Sequence, residues 1–90
     1  MTTREPMRKL EEMRNLGATI VRRLTEIGIY SEADLQRVGP VDAYVLMQKQ
    51  ETTPLPVCYY LYSLEGALQD KHWDAISEKR KKELLKAIGR

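Results

Sequence analysis

A chain of 90 residues with 42% hydrophobic and 31% charged side chains fits one globular domain, and at this size folding buries only about 60–65% of the unfolded surface, too little for a large enzyme-like cleft. No apolar run approaches the roughly 18–20 residues that cross a bilayer, and residues 1–10 lack a signal-peptide core. The one cysteine, Cys58, excludes an internal disulfide and fits a reducing compartment, so the expected location is the cytoplasm. The net charge of +2 is unevenly spread: residues 1–30 carry six Lys/Arg and four Asp/Glu, residues 31–77 three and seven, and residues 78–90 six and two. Basic ends around an acidic middle permit anion binding without requiring it.

In chain order, Pro6 stands where a helix start tolerates proline, and Met7, Leu10 and Met13 or Arg14 follow at helical spacing, which predicts a first helix over residues 5–14. Ile20, Val21, Leu24 and Ile27 line one face of a second, over roughly 18–27, with Gly28 as its C-terminal cap. Ser31 before Glu32 and Asp34 is an N-cap with acidic residues in the first turn, opening a short third helix to about Arg37. Pro40 opens a fourth, to about Lys49. Pro54 and Pro56 interrupt any helix, so residues 50–56 read as the main linker. Val57, Leu61, Leu64 and Leu68 then predict a long fifth helix over 56–70, and Ser77 caps a sixth with Leu84, Leu85 and Ile88 on its apolar face. No stretch alternates long enough to be a strand. The predicted fold is all-α, a bundle of five to six helices divided into a hairpin pair at 5–49, the linker, and C-terminal helices at 57–88.

A local repeat lies within the first half. Residues 13–24 and 35–46 align at an offset of 22, pairing Leu16 with Val38, Gly17 with Gly39, Val21 with Ala43 and Leu24 with Leu46. An apolar residue, a glycine, and then a small residue opening an apolar-periodic stretch describes a tight connection into a helix. The helix that follows starts with free backbone N–H groups, the geometry that receives phosphate oxygens. Two such connections suggest tandem helix-hairpin-helix units.

Asn15-Leu16-Gly17, Ile27-Gly28-Ile29, Asp34-Leu35 with Val38-Gly39, Ala43-Tyr44, Leu61-Tyr62 with Leu64-Glu65-Gly66-Ala67-Leu68, and His72-Trp73 fall in the order and spacing of one family. Over roughly residues 13–86 the chain resembles the C-terminal domain of the TfoX (Sxy) proteins, bacterial regulators linked to natural competence. The resemblance implies a helix-hairpin-helix module with a regulatory, non-enzymatic role. The N-terminal domain of the two-domain members has no counterpart here. Strong DNA-binding hairpins carry a further glycine two residues before the one at the turn, and those positions hold Asn15 and Arg37. Asn tolerates a left-handed backbone far better than Arg. The first hairpin is therefore the better phosphate site, through the N–H groups of Gly17, Ala18 and Thr19 with Arg22 and Arg23 one turn on. The alternative is that both glycines only permit close packing.

Other reactive residues do not form a constellation. His72 and Cys58 are single and far apart in sequence, so no metal site, cofactor or small-molecule substrate is expected. His72 and Trp73 are expected to form the turn after helix five, with the indole over the core edge, and Cys58 to pack within that helix. The run Lys79-Arg80-Lys81-Lys82 reads most simply as a solvated helix face. On helix five Tyr60 belongs to the core side, whereas Tyr59, Tyr62 and Gly66 share a neighbouring face that a protein partner could use. Gly66 in mid-helix costs about 1 kcal/mol against Ala, which a close helix contact would explain. Two functions follow: weak, non-specific DNA association through the first hairpin, or interaction with a regulatory protein or a second copy through Tyr59 and Tyr62.

Overall fold

A computed structural model describes residues 9–90 and contains five α-helices: α1 (Ala18–Glu26), α2 (Glu32–Val38), α3 (Pro40–Lys49), α4 (Leu61–Gln69) and α5 (Glu78–Ala87). Single 3-10 turns at Leu10–Glu12 and Trp73–Ala75 join them. Among the described residues the only β pairing is an isolated bridge between Lys9 and Ser31, so the all-α expectation holds. Most ends obey local chemistry. Ser31 and Ser77 each accept a hydrogen bond from the amide three residues on, Asp34 and Arg80. Gly28 takes φ +88 while the Ile29 amide reaches back to the Leu24 carbonyl at 2.9 Å, which closes α1 as a Schellman turn. Pro40 is the first residue of α3, where its missing N–H costs nothing.

Helix α4 forms the centre. Leu61 through Ala67 are buried without a break, because α2, α3, α5 and the 73–75 turn surround it. Leu61 and Leu64 join Ile20, Leu24, Leu35, Met47 and Leu84 in one core. Each such side chain contributes about 1.5–3 kcal/mol by leaving water. The segment between α3 and α4 is ordered by side-chain bonds. Gln48 accepts from the Leu55 amide and donates to the Thr53 carbonyl, and the buried Tyr44 hydroxyl donates to the Leu55 carbonyl at 2.6 Å.

Three expectations need correction. The first helix, expected over 5–14, is a 3-10 turn in its described part, since Glu12 folds back onto the Lys9 amide and the chain leaves helical geometry at Met13; residues 5–8 lie outside the described residues. The fifth predicted helix starts at Leu61 instead of near 56. Residues 57–60 form a turn in which the Tyr62 amide bonds the Val57 carbonyl five residues back, and this wider loop leaves Cys58 exposed instead of packed in a helix. Finally, the two glycine connections follow different paths. Gly39 sits at φ +87 and ψ 160, directly after α2, whereas Gly17 is extended at φ −82 and ψ 179. The first connection turns two residues earlier, at Asn15, with φ +74.

Candidate nucleic-acid interface

Asn15 is fixed by the second half of the chain. Its Nδ2 donates to the Lys71 carbonyl at 2.8 Å and to the Ser63 carbonyl at 3.4 Å, and its Oδ1 accepts from the Trp73 amide at 3.2 Å. These bonds cross over Gly66. A Cβ added there would lie 2.5 Å from Asn15 Nδ2 and 2.6 Å from the Lys71 carbonyl oxygen, so the close contact that excludes a side chain is with this loop and not with another helix. Left-handed backbone at Asn15, which a β-branched residue would resist, then delivers Leu16 to the core and Gly17 to the surface.

Gly17 is the N-cap of α1, and no side chain caps that end of the helix. Gly17, Ala18 and Thr19 are all exposed, and nothing lies within 4 Å of where a Gly17 Cβ would be. No side chain therefore caps the first-turn amides, and residues 17–19, which open the helix, are exposed. At the corresponding end of α3, Pro40 removes one of those amides.

Charge around this end is less available than the sequence implies. Arg22 is exposed but pairs with Glu26 one turn on at 3.1 Å. Arg14 lies 3.8 Å from Asp70. Arg23 is turned inward: its Nη1 donates to Glu51, its Nε donates to the Tyr60 hydroxyl at 3.0 Å, and its guanidinium stands over the Tyr60 ring. Glu51 first, and then the Tyr60 hydroxyl, raise the Arg23 pKa above its ordinary value. Through Glu51 and Tyr60, Arg23 is a strut between α1 and the segment leading to α4.

Over residues 6–88 the sequence matches the model of the TfoX C-terminal domain. The chain belongs to that family. Two solved structures from Listeria monocytogenes share the fold seen here. An uncharacterized protein in a triclinic form is 30% identical with a TM-score of 0.77, covering 84% of each chain. A protein of unknown function in a tetragonal form is 31% identical with a TM-score of 0.78, covering 87% of this chain and 94% of that one. No curated protein matches the sequence.

The remaining candidate residues of this TfoX domain separate sharply. Tyr59 is 49% exposed, whereas Tyr62 is 7% exposed and lies beneath α5 with the Lys81 ammonium 5.5 Å from its ring centre. The shared exposed face expected for Tyr59 and Tyr62 does not exist, because the helix register below Leu61 differs from that of the turn carrying Tyr59. Burial, foremost, pushes the Tyr62 phenol pKa up. His72 accepts from the Asp74 amide through Nδ1 and lies against Trp73, closing the turn after α4. No group of three His, Cys, Asp or Glu side chains that could hold a metal ion occurs among the described residues. No helix among them is long and apolar enough to cross a membrane.

Glu65 is the functional-looking residue that sequence reasoning passed over. It is a 94% buried carboxylate on α4, clasped by Arg80 of α5 through Nε at 2.9 Å and Nη2 at 3.2 Å, with Gln69 donating to it as well. Glu65 foremost, then Glu83, raise the Arg80 pKa, so the guanidinium stays charged. The pair fixes how α5 sits on the core. The available signal was a lone carboxylate among Leu61, Leu64 and Ala67, fifteen residues before Arg80.

Proposed function

We propose that this domain is a non-enzymatic regulatory module of the TfoX type that associates weakly, and without sequence preference, with DNA through the N-terminal end of α1. The observation that carries the reading is the first turn behind Gly17, exposed at residues 17–19 and without a side-chain cap. Backbone N–H groups at such an end complement phosphate and have no means to distinguish bases. Arg22 adds a charge that must exchange Glu26 for phosphate. Arg23 is excluded from the contact, because withdrawing it would leave Glu51 and the Tyr60 hydroxyl without their partner. Affinity should therefore be low and strongly weakened by salt.

Titration of a random-sequence duplex, followed by fluorescence anisotropy, tests this with Gly17→Asp. The backbone at Gly17 is extended and has room for a side chain, so aspartate fits and its carboxylate caps the amides that would otherwise meet phosphate. Binding should fall while thermal stability holds or rises. Unchanged binding would overturn the α1 contact. No binding even at low salt would favour a protein partner instead, with Tyr59 and the outward Val45–Leu46 face of α3 as the surfaces to test.

A further inference from the structure

We infer that α5 carries a second DNA-backbone contact, formed by Lys79, Lys82 and Lys86, and that this lysine stripe supplies most of the electrostatic attraction for duplex DNA; the inference rests on the reading that the domain binds DNA. The basic run that looked uniform in sequence is divided in two by the fold. Arg80 is committed to Glu65 and Glu83, and Lys81 to Glu78 and the Tyr62 ring. Lys79, Lys82 and Lys86 are exposed, and none is in an ion pair among the described residues.

At 3.6 residues per turn these three lysines fall within a sector of about 60° on one side of α5. Leu84, which is buried, and Ile88, which packs against the core, occupy the opposite side. Two carboxylates flank the lysine sector about 40° outside it, and both are drawn away, Glu83 to Arg80 at 3.3 Å and Glu78 to Lys81 at 3.5 Å. The inward cations thus hold the helix in place, and the outward ones stand clear on a rigid ridge about 10 Å long at 1.5 Å per residue. One strand of duplex DNA carries a phosphate per roughly 3.4 Å of axis, so a ridge of this length spans about three charges.

Other polyanionic partners fit less well. A helix that lies on a membrane inserts its apolar face into the lipid, and on α5 that face is already packed against the core. A protein interface is anchored by buried aromatic or apolar side chains, and the lysine sector has none among its residues 79, 82 and 86. What remains is recognition by charge alone, which is how a nucleic-acid backbone is held.

The test compares two variants that remove equal charge: Lys79→Gln with Lys82→Gln and Lys86→Gln, and a control with Lys9→Gln, Arg37→Gln and Lys49→Gln. Duplex affinity is measured for each and for the unaltered chain between about 50 and 200 mM salt. Circular dichroism confirms folding, which is expected because the three α5 lysines make no internal ion pair. Neutralising the stripe should reduce the slope of log affinity against log salt by about 2–3, since each phosphate contact contributes about 0.9, and the control should change it by less than about 1. Equal slopes for the stripe variant and the unaltered chain would overturn the inference while leaving the α1 contact to Gly17→Asp. Loss of binding in the stripe variant with Gly17→Asp unaffected would uphold the inference and overturn the α1 contact. No binding by the unaltered chain at low salt would overturn both.

Discussion

Replacing Gly66 with alanine should destabilise the domain although it adds a better helix former to the middle of α4. On propensity alone the change gains about 1 kcal/mol. Against that, the new methyl would stand 2.6 Å from the Lys71 carbonyl oxygen and 2.5 Å from Asn15 Nδ2, where ordinary contact begins at 3.4 Å. The carbonyl belongs to the backbone and cannot swing aside, so the 70–73 turn must retreat from α4. That movement stretches the Asn15 bonds to Lys71 and Trp73, each of which contributes about 0.5–1.5 kcal/mol net. Overpacking itself costs about 1–3 kcal/mol. The balance is a loss of about 1–5 kcal/mol by these magnitudes, measurable as a lower urea midpoint at unchanged slope. Combining it with Asn15→Gly, which keeps the left-handed turn and deletes the side chain, should cost less than the two single changes together, because both act on the bonds from Asn15 to Lys71 and Trp73. A neutral or stabilising Gly66→Ala would refute the idea that this glycine exists to admit the Asn15 clasp.

Alanine at the two repeat glycines should give opposite outcomes in the same denaturation assay. Gly39→Ala places a Cβ at φ +87 and ψ 160, a region reserved for glycine, and should cost about 1–3 kcal/mol, whereas Gly17→Ala at φ −82 should stay within about 0.5 kcal/mol. Equal losses at both would mean that the two connections are conformationally alike after all. Stability should also fall at alkaline pH through Tyr62: its folded pKa lies above the ordinary phenol value of about 10, so the protonated form is favoured by folding, and the stability it contributes is complete below pH ~10 and lost as pH rises through the folded value. Tyr62→Phe should remove that part of the alkaline decline, and a curve identical to that of the unaltered chain would refute it.

What the sequence discloses here is what neighbouring residues decide among themselves. Ser31, Ser77, Gly28 and Pro40 mark helix ends correctly because a cap is satisfied within four residues of where it stands. The candidate site was harder to read because its key residues are governed by partners far along the chain. Asn15 is drawn to residues 48 to 58 positions away, Arg23 to Tyr60 and Glu51, and Arg80 to Glu65. Gly17 and Gly39 stand in similar local sequence and still differ, because Asn15 has already taken the left-handed turn that at Gly39 must be made by glycine. Tyr62 lies on a different surface from Tyr59 for a related reason. The bond from its amide to Val57 widens the turn before α4 and breaks the register that spacing alone would carry back to Tyr59.

The Asn15 clasp also bears on the order in which this fold can assemble. Its three bonds join a turn near one end of the described chain to Ser63, Lys71 and Trp73, so the turn receives its full set of partners only when both halves have come together. During synthesis residues 9–50 emerge first, and α1 to α3 can form transiently, but the carbonyls and amide that hold the backbone before α1 have not yet been made. Closing so long a loop delays the reward for ordering it. The backbone in front of Gly17 therefore has its full set of partners only in molecules whose residues 63–73 are already in place.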